Sequence, residues 1–325
     1  MKNLEHYAGI DIGGSNIKYG LFDSTGKIIF REQRPALVEK GATPLLHLIT
    51  NIGENLLLHA AEEELHINWL GVGSPGTIDN TSGVVKGKCP NISDWRGTEI
   101  ASHLKEHLNL PVFVDNDANA MALAELRFGA AQRFNSVLCI TVGTGIGGGI
   151  IINKSLWRGS SFSAGEVGHI IVKYDGKECR CGNQGCLEAY CSSQAILERT
   201  RDKMKNGLSP IFEEVLGGDI QNLNIKKLFM AAKKGDETAL AVIEETATIL
   251  GAGLSGVVNL LNPDALIFGG GIIDGGAGFI EAAGAEIRRR AFSSATESLR
   301  ILKAELGNDA GFIGAGLLGE YRSKR

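Results

Sequence analysis

The chain has 325 residues, 43% apolar and 22% charged, with a formal net charge of −4. Its length exceeds one comfortable hydrophobic core and predicts two lobes, while the mild acidity provides no basic field for nucleic acid or a membrane surface. Residues 1–10 carry Glu5 and His6 and no apolar core, so no secretory signal is expected, and the most apolar window, 137–152, is short and holds five glycines, which argues against a membrane span.

In chain order, residues 7–34 read as a strand, a Gly-Gly turn, a second strand over 17–23, a Thr25-Gly26 turn and a third strand over 27–33. Helical periodicity follows over 43–64, with Leu45, Leu48, Ile52, Leu56 and Ala60 among its apolar positions. A short buried strand over 69–73 ends in Ser74-Pro75-Gly76. Thr98 is expected to cap a helix reaching Leu108, with Glu99 in its first turn. Pro111 then opens the strand Val112-Phe113-Val114. A second start comes at Ser136: a strand over 137–142, a glycine turn over 143–148 and another strand over 149–153. The two starts share a strand, glycine turn, strand logic, which predicts two similar lobes that each offer a phosphate-binding hairpin. The boundary is set after residue 117. Helices are expected over 188–203, 223–233, 236–262 and 278–291, and a last helical segment over 309–321 is expected to return to the first lobe.

Five local patterns carry chemistry. In Asp11-Ile12-Gly13-Gly14-Ser15-Asn16-Ile17-Lys18, two glycines let backbone N–H groups face phosphate oxygens, a hydroxyl adds a donor, and an aspartate can hold Mg²⁺ or its waters. A plain hairpin uses Gly-Gly as well. The run Gly143-Thr144-Gly145-Ile146-Gly147-Gly148 fits the dinucleotide-binding spacing but leads into Gly149-Ile150-Ile151-Ile152, a strand rather than a helix, which rejects NAD. Asp115-Asn116-Asp117 stands at the C-terminal end of a buried strand, where Asn116 can exchange hydrogen bonds with a sugar hydroxyl and Asp117 can accept a proton; the bland alternative is an Asx-rich helix cap. A strand over 264–268 runs into Gly269-Gly270-Gly271, which suits backbone contact with an adenine ring or a simple strand-to-helix turn. Finally, His169, Cys179, Cys181 and Cys186 have the donor types and count of a closed tetrahedral zinc site. Glu166 and Glu188 bracket those donors without being needed by the metal, so a structural zinc would fix two carboxylates for a hydroxyl-rich ligand. His169 can ligate through one ring nitrogen and offer the other to a sugar. Cys89, Cys139 and Cys191 read as ordinary thiols, and the expected compartment is the cytoplasm.

Taken together, Asp-x-Gly-Gly-x-x-x-Lys, Asn-Asp-x-Asn, Gly-Thr-Gly-x-Gly-Gly-Gly, Glu-x-Gly-His, Cys-x-Cys-Gly-x-x-Gly-Cys-x-Glu and Gly-Gly-Gly closely resemble the ROK family of bacterial sugar kinases and related repressors, over essentially the whole chain. The resemblance implies an α/β, two-lobe actin-like ATPase (ribonuclease H-like) fold with a small zinc-binding insertion in the larger lobe. The small lobe would span 1–117, with a helix over about 309–325 packed back on it, and the large lobe 118–308, with a zinc knuckle over 169–188. It also implies ATP-dependent phosphorylation of a hexose, often at the 6-hydroxyl, with Mg²⁺. Asp117 then corresponds to the general base, and Asn116, Glu166, His169 and Glu188 to sugar-hydroxyl ligands, with Gly76 and Asn91 at the pocket rim. Asp11, Gly13, Gly14, Ser15, Asn16, Lys18, Thr144, Gly145, Gly270 and Gly271 correspond to the ATP and Mg²⁺ site. Ser15 stands where the family usually has threonine, and Asp115 replaces the more familiar glutamate. Glucose is the first choice of substrate, with N-acetylglucosamine and N-acetylmannosamine as alternatives. A sugar-responsive regulator is the alternative of another class. A homodimer or homotetramer is expected from the family, with no nucleic-acid or membrane partner.

Overall fold

A computed structural model of the protein describes residues 4–87, 89–205 and 207–322. Its first sheet starts as an antiparallel meander of β1 (His6–Ile12), β2 (Asn16–Asp23) and β3 (Ile28–Pro35). β1 and β2 are almost wholly buried, whereas β3 exposes Arg31, Glu32 and Gln33, charged and polar groups that suit an edge strand. Helix α1 (Ala42–Glu62) follows and buries Leu45, Ile49, Ile52, Leu56 and Ala60, a single stripe at helical spacing. β4 (Ile67–Ser74) then joins β1 in parallel. A short hairpin of β5 (Ile78–Asp79) and β6 (Val84–Val85), helix α2 (Ile100–Leu108), β7 (Val112–Asn116) and helix α3 (Asp117–Phe128) complete this part. The sheet order is β3-β2-β1-β4-β7.

The pattern repeats. β8 (Val137–Val142), β9 (Ile146–Ile152) and β10 (Ser155–Trp157) form the second meander. Helices α4 (Glu188–Cys191), α5 (Ser193–Lys203), α6 (Pro210–Leu216), α7 (Ile225–Lys233) and α8 (Glu237–Leu261) precede β11 (Ala265–Gly269). Next come α9 (Ala277–Arg290), α10 (Ser293–Thr296) and β12 (Arg300–Lys303), which pairs in parallel with β11. The order β10-β9-β8-β11-β12 mirrors the first sheet, so the duplication expected from two glycine hairpins extends to the whole strand order. The last elements of the described residues are α11 (Ala310–Gly316) and α12 (Leu318–Arg322).

Two compact units result: Met1–Cys139, Gly149–Gly165 and Ala304–Arg325 form one, and Ile140–Gly148 with Glu166–Lys303 the other. Where the sequence reading drew its boundary after residue 117, α3 packs against α11 and β4 and so groups with the first unit. The chain passes between units within β8 and again within β9. In the second unit, α8 is long and apolar enough, by length and composition, to cross a membrane. It packs against α5, α7 and α9 and buries Val242, Leu250, Leu254 and Val258.

Several local expectations need correction. Thr98 is not the cap of α2: Glu99 occupies that position without a side-chain capping bond, because the Thr98 carbonyl is used by Val85 N in the β6 strand. The helix expected over 188–203 breaks at Ser192, whose hydroxyl accepts from Ala195 N and caps α5. The segment over 309–321 breaks at Leu317, and residues 323–325 of the longer expected helix lie outside the described residues. Strands β5, β6, β10 and β12 and helices α6 and α10 were not anticipated.

The first unit depends on close backbone approach. A Cβ on Gly71 of β4 would overlap the carbonyl of Ala315, and one on Gly9 of β1 would overlap that of Phe312, so α11 rests almost directly on the sheet. Gly71→Ala is therefore expected to lower stability by at least about 2–3 kcal/mol, since neither backbone can yield without moving a core element. A thermal scan showing an unchanged midpoint would contradict this packing.

Candidate active site

In the first unit, strand register assembles the site. Asp11 of β1 pairs with Gly73 of β4, and Gly73 pairs with Asp115 of β7. This row lies at the C-terminal ends of parallel strands, where α/β sheets gather ligands. Gly73 leaves room between two carboxylate-bearing residues: a Cβ there would lie 3.5 Å from Asp11 Oδ1 and 3.6 Å from the Asp117 Cα. Burial raises the Asp11 carboxyl to about 6, although Lys18 pulls it down. Lys18 Nζ also donates to Asn308 Oδ1 at 3.1 Å. The turn between β1 and β2 closes through Gly13 N to Asn16 O at 3.0 Å, leaving Gly14, Ser15 and Asn16 exposed at its tip.

The step from β7 into α3 is tightly built. Asn116 caps α3 through Oδ1, which accepts from Ala118 N at 2.9 Å and Asn119 N at 3.2 Å. Its Nδ2 donates to Gly76 O at 3.1 Å, so the cap also holds the loop after β4. Asp117 is the first residue of α3, and its Oδ1 accepts from Ala118 N at 2.9 Å. Gly76 has φ 93, a left-handed backbone that a side chain would strain. Trp95, fully buried, donates to Ser74 Oγ at 3.2 Å and steadies the same loop. Asn91 is exposed on the following loop.

The second unit holds the metal-type cluster. His169 Nδ1 lies 3.7 Å from Cys179 Sγ, Cys181 Sγ lies 3.7 Å from Cys186 Sγ, and all four donor atoms fall within 4.8 Å of one another. A tetrahedral ion with metal–sulfur bonds of about 2.3 Å places its donors roughly 3.7 Å apart. The residues therefore fit a closed tetrahedral metal. Burial pushes the Cys186 thiol up to about 12, and a bound cation is what would hold these sulfurs as thiolates. With Nδ1 turned to the sulfurs, His169 Nε2 faces Glu166 Oε2 at 3.9 Å. Burial raises the Glu166 carboxyl, with His169 opposing and Glu188 adding to the rise.

Glu188 opens α4 two residues after Cys186. Its Oε2 accepts from Ile146 N at 2.8 Å, and a Cβ on Gly145 would lie 2.6 Å from that oxygen. The same turn closes through Gly143 N to Gly145 O at 2.9 Å, and Gly143 O accepts from both Ser193 N and Ser193 Oγ at 2.8 Å. Thr144 is exposed at the tip. The sulfur cluster, Glu188 and the glycine turn are thus one connected structure. Gly270, at φ 97, lies so close to β8 that a Cβ would stand 2.5 Å from Val142 O, while Gly271 faces open space.

The structure thus brings Asp11, Gly13, Gly14, Ser15, Asn16, Lys18, Gly76, Asn116 and Asp117 to one edge of the first unit. Glu166, His169, Glu188, Thr144 and Gly145 gather in the second. Sequence reasoning missed Ser193, Asn308 and Arg158. Each acts through a partner far away in the chain, and nothing in its local spacing marks it.

The model of the ROK family matches residues 7–321. The glucokinase of Thermotoga maritima is 34% identical over 307 residues, covering 94% of this chain and 95% of that protein. The xylose repressor of Caldicellulosiruptor bescii is 32% identical over 313 residues, covering 96% of this chain and 77% of the repressor. The crystal structure of a ROK family glucokinase from Streptomyces griseus in complex with glucose and AMPPNP superposes with a TM-score of 0.85 at 34% identity, covering 97% of this chain and 99% of that one. The mixed α/β fold is the fold of that glucokinase.

Asp11 supplies a pH test. Its carboxyl is raised from an ordinary 3.8 to about 6, so the folded protein binds this proton more tightly than the unfolded chain. Stability from the protonated group is complete below about 3.8 and is lost as pH rises through about 6. Without nucleotide, Asp11→Asn is expected to melt higher than the parent at pH 7.5, by the equivalent of roughly 2 kcal/mol, with a smaller gain at pH 5. An equal gain at both pH values would contradict the burial argument.

Proposed function

The chain belongs to the ROK family, and from that premise we propose that it transfers the γ-phosphoryl group of ATP to the 6-hydroxyl of a hexose, glucose first, in the cytoplasm. The observation that carries this reading is the turn from β7 into α3, which sets Asp117 beside Gly73 and one strand away from Asp11. A base and a cation-binding carboxylate at one sheet edge are what phosphoryl transfer to an alcohol requires. The similarity to a glucokinase that binds glucose and AMPPNP supports the choice of substrates.

In this mechanism Asp117 accepts the proton of the attacking hydroxyl. The transition state is loose, so proton removal need be complete only late, and positioning carries most of the rate. Asn116, Glu166, His169 Nε2 and Glu188 grip the ring hydroxyls, with Gly76 and Asn91 at the rim. The backbone amides and hydroxyl of the Gly13-Gly14-Ser15 turn, Asn16 and Lys18 hold phosphate oxygens, as do Thr144 and Gly145. Gly270 and Gly271 let the adenosine portion approach backbone closely. Mg²⁺ arriving with the nucleotide would be held by Asp11, directly or through water, and would supply charge neutralisation. Zinc is the ion that three thiolates and one imidazole select, and its role would be to lock the segment from His169 to Glu188. A homodimer or homotetramer is part of the same proposal.

A second reading, a sugar-responsive regulator, is favoured by the similarity to a xylose repressor. ATP-dependent acid release with a hexose, measured beside sequence-specific DNA retention, separates the two.

Asp117→Asn is expected to keep sugar affinity and lose roughly 10²-fold or more in turnover, the usual range for removal of a base. Steady-state kinetics with near-parental kcat would reject the assignment. Cys181→Ser is expected to lose zinc, read by elemental analysis, and to weaken hexose binding by about tenfold, a typical consequence of loosening a metal-held ligand. Active protein purified without zinc would remove the metal from the account.

A further inference from the structure

Beneath the Asn116-Asp117 turn lies a buried ion pair that the mechanism above does not use. Asp115 is 1% exposed by side chain, and Arg158, at 19%, donates from Nε to Asp115 Oδ2 at 2.6 Å. The other carboxylate oxygen accepts from Asn116 N at 2.8 Å and Asn119 Nδ2 at 2.9 Å. One carboxylate therefore ties the last residue of β7 to the first turn of α3, on either side of Asp117. Arg158 follows β10 directly, and its carbonyl accepts from Ala164 N at 3.0 Å. The pair thus clamps two things at once: the turn that presents Asp117, and the root of the loop that ends at Gly165, the residue before Glu166. That loop also meets the segment after Gly76, since Ser163 Oγ lies 3.5 Å from Thr77 Oγ1.

We propose that Arg158 is a positioning residue for the phosphoryl-transfer reaction: its ion pair with Asp115 holds Asp117 in register and anchors the loop leading to Glu166. The inference rests on the kinase reading and deepens it. A buried carboxylate stripped of its cation has to move or recruit water, and either response displaces the turn built on it. Displacement of a base by a fraction of an ångström costs rate more than ground-state sugar binding. Arginine suits the task because its fixed guanidinium geometry directs Nε along one line, which a flexible ammonium does not.

The test uses the full chain and steady-state ADP release with saturating ATP. Arg158→Met is expected to lower kcat roughly 30- to 100-fold while the hexose KM moves less than about threefold. Arg158→Lys, which keeps charge without the directed Nε donor, is expected to recover part of kcat. The double variant Asp115→Asn with Arg158→Met removes both charges and is expected to be several-fold faster than Arg158→Met alone. Should Arg158→Met not fold, Asp115→Asn decides, with a kcat loss of about tenfold expected in soluble protein. Folded Arg158→Met or Asp115→Asn with kcat within about threefold of the parent, or strictly additive effects in the double variant, overturns the inference. A parent enzyme that releases no ADP with any hexose sinks the kinase reading and this inference together, whereas unaffected variants of an active enzyme sink this inference alone.

Discussion

Everything proposed for the first unit depends on the register of three parallel strands. β1, β4 and β7 end level, so Asp11, Gly73 and Asp115 form one row and Asn116-Asp117 project just past it. A slip of one residue in any strand would turn the relevant side chains to the opposite face. The register is enforced from outside the sheet: α11 lies so close on β1 and β4 that only glycine fits at positions 9 and 71. Packing and chemistry thus share one constraint. The same backbone approach that buries the core of the first unit brings Asp117 and Asp11 to one edge.

A different device organises the second unit. There Glu166, His169 and Glu188, the proposed sugar ligands, sit on a loop and a four-residue helix, elements with little core of their own. Three sulfurs and an imidazole stand at tetrahedral spacing there, and in the proposed reading a zinc ion held by them would supply the rigidity that packing does not. Glu188 would carry that rigidity onward, because its carboxylate takes the Ile146 amide in the turn beside Thr144 and Gly145. The segment from Cys186 to Glu188 and the glycine turn of this unit are therefore linked through one carboxylate. Among positions with an imposed backbone, Gly270 serves the same turn region from the end of β11.

Much of this was legible in the chain because the chemistry is local. Cysteine donors, glycine hairpins and the Asn116-Asp117 pair each sit within a few residues of their partners, and donor type alone restricts what they can do. The duplicated strand, turn, strand start also pointed to the repeated strand order. What escaped the sequence is non-local. Ser192 ends a helix whose periodicity would have continued, because Ser193 is drawn to Gly143 by two tertiary bonds. Thr98 has the composition of a cap, but a strand claims its carbonyl. β5 and β6, two residues each, are too short to show a period. Arg158 stands 43 residues from Asp115, and only folding pairs them.

Kinases and repressors in this family share most of the chain, so overall similarity does not separate them; turnover does. In the proposed mechanism Asp117, at the sheet edge beside Asp11, serves phosphoryl transfer. The most direct measurement is phosphorus and carbon NMR of the purified chain incubated with ATP, Mg²⁺ and glucose. One hexose 6-phosphate is expected for each ADP. Glucose bound without ADP or phosphosugar would contradict it.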